Sequence, residues 1–594
     1  MAETHTERSA RTDRLKKYAA ALSVRLRGYA TAELGKRAAV CAFMLFLLWC
    51  ECVAFFFSKT EVHSILRPFL KGVGFYLAIF GLSILPGGRA TKILLTFWLA
   101  LMGLTAAVGI FLYLRFALDM NSDCFFVLAA SSASEAREFF DRFLNWKLAA
   151  ALIAAFAVCG AMIALVWRTK FPRSRVNTAV ALFFVLPFLG QCAIYLIVEK
   201  DPVLIYSQSN LPRSLCGYFT YRKRLSRMLR LEKRPQLPPG IKSLAGPGPM
   251  TGVFVVGESA NGNHWGAYGY PRDTTPQIGR RLDSCIVYDD AVAAAAWTGG
   301  AIYRMFTDAT VFSPRSRFTF IDVLRAAGWR VVLISGHNRW GRKDGLIGII
   351  TAHCDKRIYM YDIMKYPFDM DAVPVLEKEL RDAPDGKLMV IVHLMGSHNN
   401  FSSRYPRDFS RFGGVRDQCN SHMSEEHARE LNEYDNTIAY TDLVLGGVLK
   451  LLEKRTGPAF MIYCSDHSET GSWSGYRYAR SAEVAIPDIY EIPFVFWANG
   501  EYRREFPQFW ADAARNRHAP MQADTLIWSI VSAAQVTFDK FPRDRDIFSG
   551  ADYRPPELRL MKYKTPYRPS AAKQKLRSAG REKDKSEKSS NNKN

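Results

Sequence analysis

The sequence predicts two unlike halves: an α-helical membrane domain of five transmembrane helices, followed by an α/β extracytoplasmic domain. Three observations predict it. Five apolar runs, each close to the ~20 helical residues that cross a ~30 Å hydrocarbon core, crowd residues 38–198 of the 594. Beyond residue 250, short β-branched runs alternate with amphipathic segments, the pattern of a sheet covered by helices. Lys and Arg exceed Asp and Glu by 23, and the whole excess falls in segments 1–37, 168–177, 222–234 and 562–594, which border or flank those halves. The remainder is neutral, so the basic balance marks membrane flanks and a tail, and nucleic-acid binding is excluded.

The arm 1–37 is basic and cytoplasmic. The apolar runs of the membrane domain, 38–198, are Ala38 to Phe57, Gly72 to Gly88, Ile93 to Leu114, Leu148 to Trp167 and Thr178 to Val198. The first is too long for a signal-peptide core, and no small-residue cleavage site follows it. Buried helices of a soluble core would need polar helices around them, and this half has almost none. Lys and Arg number nine in the arm, two in the turn Arg89 to Lys92 and four in 168–177. Five alternating helices put all three on one side, so the positive-inside rule places the N-terminus in the cytoplasm and everything after Val198 outside.

Segment 199–249 holds a basic stretch, Arg222 to Arg234, interleaved with Leu225, Met228, Leu229 and Leu231. This reads as an interfacial helix on anionic headgroups, or else as a solvated linker. Pro235, Pro238 and Pro239 end it. The α/β domain is expected over 250–561, and the Lys-, Ser- and Asn-rich tail 562–594 has too little apolar surface to fold.

Three β-branched runs of that domain end in chemistry. Gly252 to Val256 leads into Glu258 and Ser259, Leu388 to Val392 into His393 and His398, and Phe460 to Cys464 into Asp466 and His467. In an open parallel sheet the ligand crevice lies beyond the carboxyl ends of the strands, so these clusters should converge. Glu258, Asp466 and His467 offer two carboxylates and an imidazole, a set suited to zinc with one position left for a reacting group. Thr298, in Trp297-Thr298-Gly299-Gly300 before a helix running through Phe306, offers a nucleophile at an N-cap. A divalent cation beside it would lower the pKa of its hydroxyl. The alternative is that Thr298 only caps the helix.

These residues resemble a family. GESANGNHWGAYGYPRDTTP from Gly257 to Pro276, VHLMGSH from Val392 to His398, RYP at 404–406, YDNTIAYTD at 434–442 and SDHSE at 465–469 are similar to, and in the order of, the signatures of bacterial phosphoethanolamine transferases. That family lies in the sulfatase and alkaline-phosphatase superfamily. The resemblance implies a sulfatase-like (alkaline-phosphatase-like) fold for the outer domain. It also implies transfer of phosphoethanolamine from phosphatidylethanolamine to lipopolysaccharide, lipid A or core, through a covalent phosphoethanolamine-threonine intermediate. Glu258, Thr298, Asp466 and His467 match its Zn2+ ligands, Thr298 being also the nucleophile, and His393 and His398 match histidines that meet the donor phosphate or the travelling group. Ser131 and Glu135 resemble donor-headgroup contacts, although Val127 stands where an Asn is expected; read without the resemblance they are an ordinary loop and helix start.

Several positions depart from the family. Ser468 replaces a Gly, no basic residue stands in Ala260-Asn261-Gly262-Asn263, and no His lies between Ser468 and Tyr490, where Arg477 and Arg480 could contact phosphate instead. His264 and His337 are the remaining candidates for a second proton shuttle, against a reading as hydrogen-bonded structural histidines. Eleven cysteines, five of them beyond residue 200, make no tidy framework, and at most two bridges are expected. A monomer in the bacterial inner membrane, with its catalytic domain in the periplasm, is expected. The alternatives that keep related chemistry are a phosphoglycerol transferase of the lipoteichoic acid synthase type and a membrane-anchored phosphodiesterase. A sulfatase would need Cys-x-Pro-x-Arg, where this chain has Thr298-Gly299-Gly300.

Overall fold

The computed structural model describes residues 31–50, 66–116, 146–173, 175–194, parts of 217–234, 235–337, 345–383, 385–474, 486–560 and parts of 565–574. They form two compact units, one reaching Phe219 and the other including everything from Thr220.

The first unit is helical wherever it is described. Its helices are α1 (31–50), α2 (Leu66–Ile84), α3 (Gly88–Phe116), α4 (Trp146–Arg168) and α5 (Arg175–Ile194). Each of the five apolar runs is thus helical over its described part, save the turn 85–87 near the end of the second. Among the described residues, two helices are long and apolar enough to cross a membrane, Gly88–Leu112 and Leu148–Arg168, so the fold upholds the helical character and not the count of five spans. Val40, Met44 and Leu48 pack with Tyr76, Phe80, Leu95, Leu99 and Val166 inside, while Ile153, Phe183 and Leu186 point outward. Outward apolar side chains are what lipid contact requires. One set of polar groups meets at one end. Glu33 accepts from the Lys170 backbone N–H at 2.7 Å, Arg37 donates to the Lys170 carbonyl at 2.6 Å, and Lys92 donates to the Trp167 carbonyl. The end of the basic arm, the start of α3 at 89–92 and the 168–173 loop therefore share one end of this unit, the arrangement that their charges predict.

The second unit is an α/β domain around a seven-stranded sheet. Its strands are β1 (Met250–Gly257), β2 (Cys285–Tyr288), β3 (Arg330–Ser335), β4 (Lys356–Tyr359), β5 (Lys387–His393), β6 (Ala459–Ser465) and β7 (Phe494–Ala498). Their spatial order is β2-β7-β6-β1-β5-β3-β4. Pairing is parallel from β6 through β1, β5 and β3 to β4, and β7 runs antiparallel to both its neighbours. Central strands buried on both faces must be continuously apolar, and Val253 to Val256, Leu388 to Val392 and Phe460 to Cys464 are buried throughout. One face packs against α6 (Thr298–Phe306), α7 (Phe320–Ala326) and α10 (Leu526–Ala533). The other is covered by α8 (Ala372–Arg381) and the 29-residue α9 (Glu425–Glu453).

The borders of this domain are wider than the sequence suggests. Leu225 and Leu229 of the basic stretch pack against the α6-side core, leaving Arg222 and Lys223 exposed, so the stretch is anchored to the domain and is not solely a surface helix for headgroups. Lys242–Ser243 pairs with Val536–Thr537. The tail, expected to be disordered from 562, pairs Thr565–Pro566 with Arg559–Leu560, and the buried Lys573 ammonium lies 3.2 Å from Asp290. These are long-range partners that local composition does not reveal.

Candidate active site and metal centre

Register brings the site together. Val256 lies opposite His393 and Cys464, Gly257 opposite Ser465, and Ser335 opposite His393. Four adjacent parallel strands thus end at one level, and the chain leaving each begins at the same edge of the sheet.

Glu258 follows β1, and Ser259 then takes φ 59°, a left-handed conformation uncommon for a residue with a side chain. The turn lets the Ser259 hydroxyl donate to Glu258 Oε1 at 2.6 Å and the Ser259 N–H donate to Asp466 Oδ1 at 3.1 Å. From the β5 side, the Ser397 N–H donates to the Glu258 carbonyl at 2.9 Å. That approach needs Gly396, whose φ is +50° and where a Cβ would come within 2.7 Å of the Glu258 carbonyl oxygen. After β6, the His467 N–H donates to Asp466 Oδ1 at 2.7 Å. His467 Nδ1 lies 2.8 Å from the Ser468 carbonyl, which places the ring proton on Nδ1 and leaves Nε2 as an acceptor. Nε2 is 3.4 Å from Glu258 Oε1, 3.6 Å from Asp466 Oδ2 and 3.3 Å from Thr298 Oγ1.

Thr298 opens α6, which ends at Phe306 as expected, but the expected N-cap is displaced by one residue. Trp297, in extended conformation, is the cap, and Thr298 is the first helical residue. Its hydroxyl is therefore not spent on its own helix. It donates to Glu258 Oε2 at 3.1 Å, which disfavours the reading of Thr298 as a mere cap. Gly299 and Gly300 permit this start, because a Cβ at either would meet the Trp297 ring, at 2.2 and 2.9 Å.

Glu258, Asp466 and His467 are all 0% exposed, and their ligand atoms lie within 4.8 Å of one another. Burial, then the Glu258 carboxylate, pushes Asp466 well above the usual carboxylate range, against the pull of the Ser259 and His467 N–H groups. Asp466 Oδ2 is buried without a hydrogen-bond partner among the described residues. Two adjacent buried carboxylates, an orphaned oxygen, an oriented imidazole and a hydroxyl are a donor set that fits zinc.

The histidines divide differently from expectation. His393, 2% exposed, belongs with Glu258 and His337 in a second group whose ligand atoms lie within 4.8 Å, and His398 is in neither group. Burial, then His337, holds His393 well below the usual imidazole range, with Glu258 opposing. His398 is half-buried in the following loop, whose Met395 and Gly396 N–H groups both donate to Asp369, each at 2.8 Å. His337 enters the site because β3 is the neighbour of β5. His264 does not: its Nδ1 is 2.7 Å from Asp435 Oδ1 and its ring packs on Tyr434, a structural role. Ser131, Glu135, Arg477 and Arg480 lie outside the described residues. Cys285, Cys354, Cys419 and Cys464 are unbridged.

Two quoted motifs prove to be halves of one framework. Arg272 donates to Asp435 Oδ2 at 2.7 Å and to Asp417 at 2.8 Å, and Tyr270 donates to the same Asp435. Asp442 accepts from the Gln277 and Ile278 N–H groups just after Thr274-Thr275-Pro276. Tyr434 accepts from the Asn261 N–H and donates to the Ser259 carbonyl, so α9 braces the turn behind Glu258.

Comparison with known proteins agrees with this fold. The Sulfatase family model matches residues 251–536, so the α/β unit is a sulfatase-type domain. Phosphoethanolamine transferase EptC of Escherichia coli O18:K1:H7 is 23% identical over 458 residues, 73% of this chain and 78% of that protein. Among solved structures, the integral membrane protein lipooligosaccharide phosphoethanolamine transferase A of Neisseria meningitidis shares the fold with TM-score 0.62 at 18% identity, covering 86% of this chain and 99% of that one. The periplasmic domain of Escherichia coli EptC in complex with Zn gives TM-score 0.52 at 23% identity, over 56% of this chain and 97% of that one. The chain is thus similar over most of its length to phosphoethanolamine transferases, the resemblance that its motifs carry.

Proposed function

We propose that this protein transfers phosphoethanolamine from phosphatidylethanolamine to a lipopolysaccharide acceptor, in two displacements at Thr298. The observation that carries the proposal is the Thr298 hydroxyl at the start of α6, within 3.3 Å of both Glu258 and His467 at the ends of β1 and β6. The relatives' names support the transferred group and the class of acceptor.

In the first displacement Thr298 Oγ forms a bond to the donor phosphorus as the bond to the diacylglycerol oxygen breaks. Thr298 gives up its proton and the departing oxygen gains one. On this reading His398, half-buried in the loop after β5, carries protons in both halves. In the second displacement an acceptor hydroxyl or phosphate oxygen attacks the same phosphorus, and Thr298 leaves. Glu258, Thr298, Asp466 and His467 would hold Zn2+, which supplies neutralising charge at phosphate oxygens and lowers the nucleophile's pKa. Both lipids are confined to a membrane surface, which accounts for an apolar helical unit in the same chain.

Lipopolysaccharide from cells with and without the gene, compared by mass spectrometry, tests the reading. Loss of phosphoethanolamine from lipid A or core is expected; an unchanged profile alongside changed phosphoglycerol would favour the phosphoglycerol alternative. A second test is topological, because the donor reaches the site only if the α/β unit is periplasmic. A phosphatase reporter fused after Arg234 should be active and one in the 168–177 loop silent; the reverse would defeat the proposal.

A further inference from the structure

We propose that Glu258, His337 and His393 form a second divalent-cation site, which shares Glu258 with the centre at Thr298. The inference rests on the phosphoryl-transfer reading above only for its purpose; the site itself rests on geometry. The three ligand atoms lie within 4.8 Å of one another. His393 is 98% buried, and its Nε2 finds no hydrogen-bond partner among the described residues. An orphaned buried polar atom costs about 1–3 kcal/mol, so a packed core gains by filling that position.

Both rings carry the supports that ligating histidines have, in which the nitrogen away from the metal donates to a protein acceptor. His337 Nε2 lies 2.9 Å from the Leu394 carbonyl, which requires its proton there and leaves the Nδ1 lone pair for a ligand. His393 Nδ1 faces the Ser335 hydroxyl oxygen at 3.5 Å, and that oxygen is held by the His337 N–H at 3.2 Å. The rings now stack 4.1 Å apart and 6° from parallel. Two neutral imidazoles and a shared carboxylate favour zinc over magnesium or calcium, which prefer oxygen.

Charge gives the site a purpose. Glu258 and Asp466 together balance one dication, after which a phosphodiester would enter a buried site with its negative charge uncompensated. A second dication beside Glu258 restores neutrality, as the paired metals of other phosphoryl-transfer sites do. A merely structural stack of neutral histidines would satisfy packing, but it would leave His393 Nε2 unmatched.

The test is zinc stoichiometry of the full-length protein in detergent, stripped with chelator, titrated with zinc alone and measured by elemental analysis. Wild type should bind two zinc ions per chain, and His337→Ala and His337→Gln one each, with unchanged circular dichroism. A cobalt-loaded sample should lose one set of visible absorption bands in the same variants, a readout independent of activity. One zinc in the wild type, or two retained in both variants, overturns the proposal. If Asp466→Asn kept two ions while the His337 variants lost one, the assignment at Thr298 would fail and this site would stand.

Discussion

The helical and α/β units place their polar groups in opposite ways. In the helical unit Glu33, Arg37 and Lys92 meet the backbone of residues 167–170 at one end, and the outward faces are apolar, with Phe183 72% exposed. In the α/β unit the polar groups of consequence are at the centre, with Glu258, Asp466 and His467 wholly buried at the strand ends. Polarity at an end can be met by water or headgroups and needs little positional precision. Polarity at a buried edge must be met by named partners, and it is costly where they are missing. On the proposed function, the first arrangement anchors and the second concentrates electrostatic interaction where a phosphate would react.

Substitutions sharpen that contrast. Thr298→Ala has the largest expected effect: transfer in a purified assay with labelled phosphatidylethanolamine should fall on the order of 10³-fold or more, with the melting temperature unchanged. Activity near wild type would remove Thr298 from the chemistry. Asp466→Asn and His467→Ala should each deplete zinc in the purified protein, because each removes one of few ligands; full occupancy in both would put the metal elsewhere. Arg272→Ala strikes the brace and not the chemistry. It leaves Asp435 buried without its guanidinium, so the α/β unit should lose about 3–5 kcal/mol in denaturant unfolding, while the helical unit keeps its helicity. Ser259→Ala should act least, lowering zinc affinity about 10-fold to 100-fold through the lost support to Glu258, as read by chelator competition.

The same contrast explains what the sequence reveals. Strands β1, β5 and β6 are legible because strands buried on both faces need unbroken apolar runs, and the residues that follow them are then fixed at one edge. Thr298 is legible as the hydroxyl before a helix, although the cap lies one residue earlier, a shift that only backbone dihedrals decide. His337 looks like a structural histidine in sequence; it joins Glu258 because Ser335 pairs with His393, a register set across 58 residues. Asp369 is hidden for the same reason. Lys573 pairs with Asp290 from a stretch whose composition predicts disorder. In the helical unit, hydropathy reveals the helices, but their number as membrane spans depends on length and context beyond composition.

The central claim is that Thr298 carries the phosphoethanolamine between donor and acceptor. Purified full-length protein incubated with phosphatidylethanolamine and no acceptor, quenched in acid and digested, gives a peptide containing Thr298 for tandem mass spectrometry. A phosphoethanolamine group on that threonine, absent from Thr298→Ala and lost when acceptor is added before quenching, is the predicted result. Rapid release of diacylglycerol with the group found on another residue, or on none while transfer still proceeds, would contradict it.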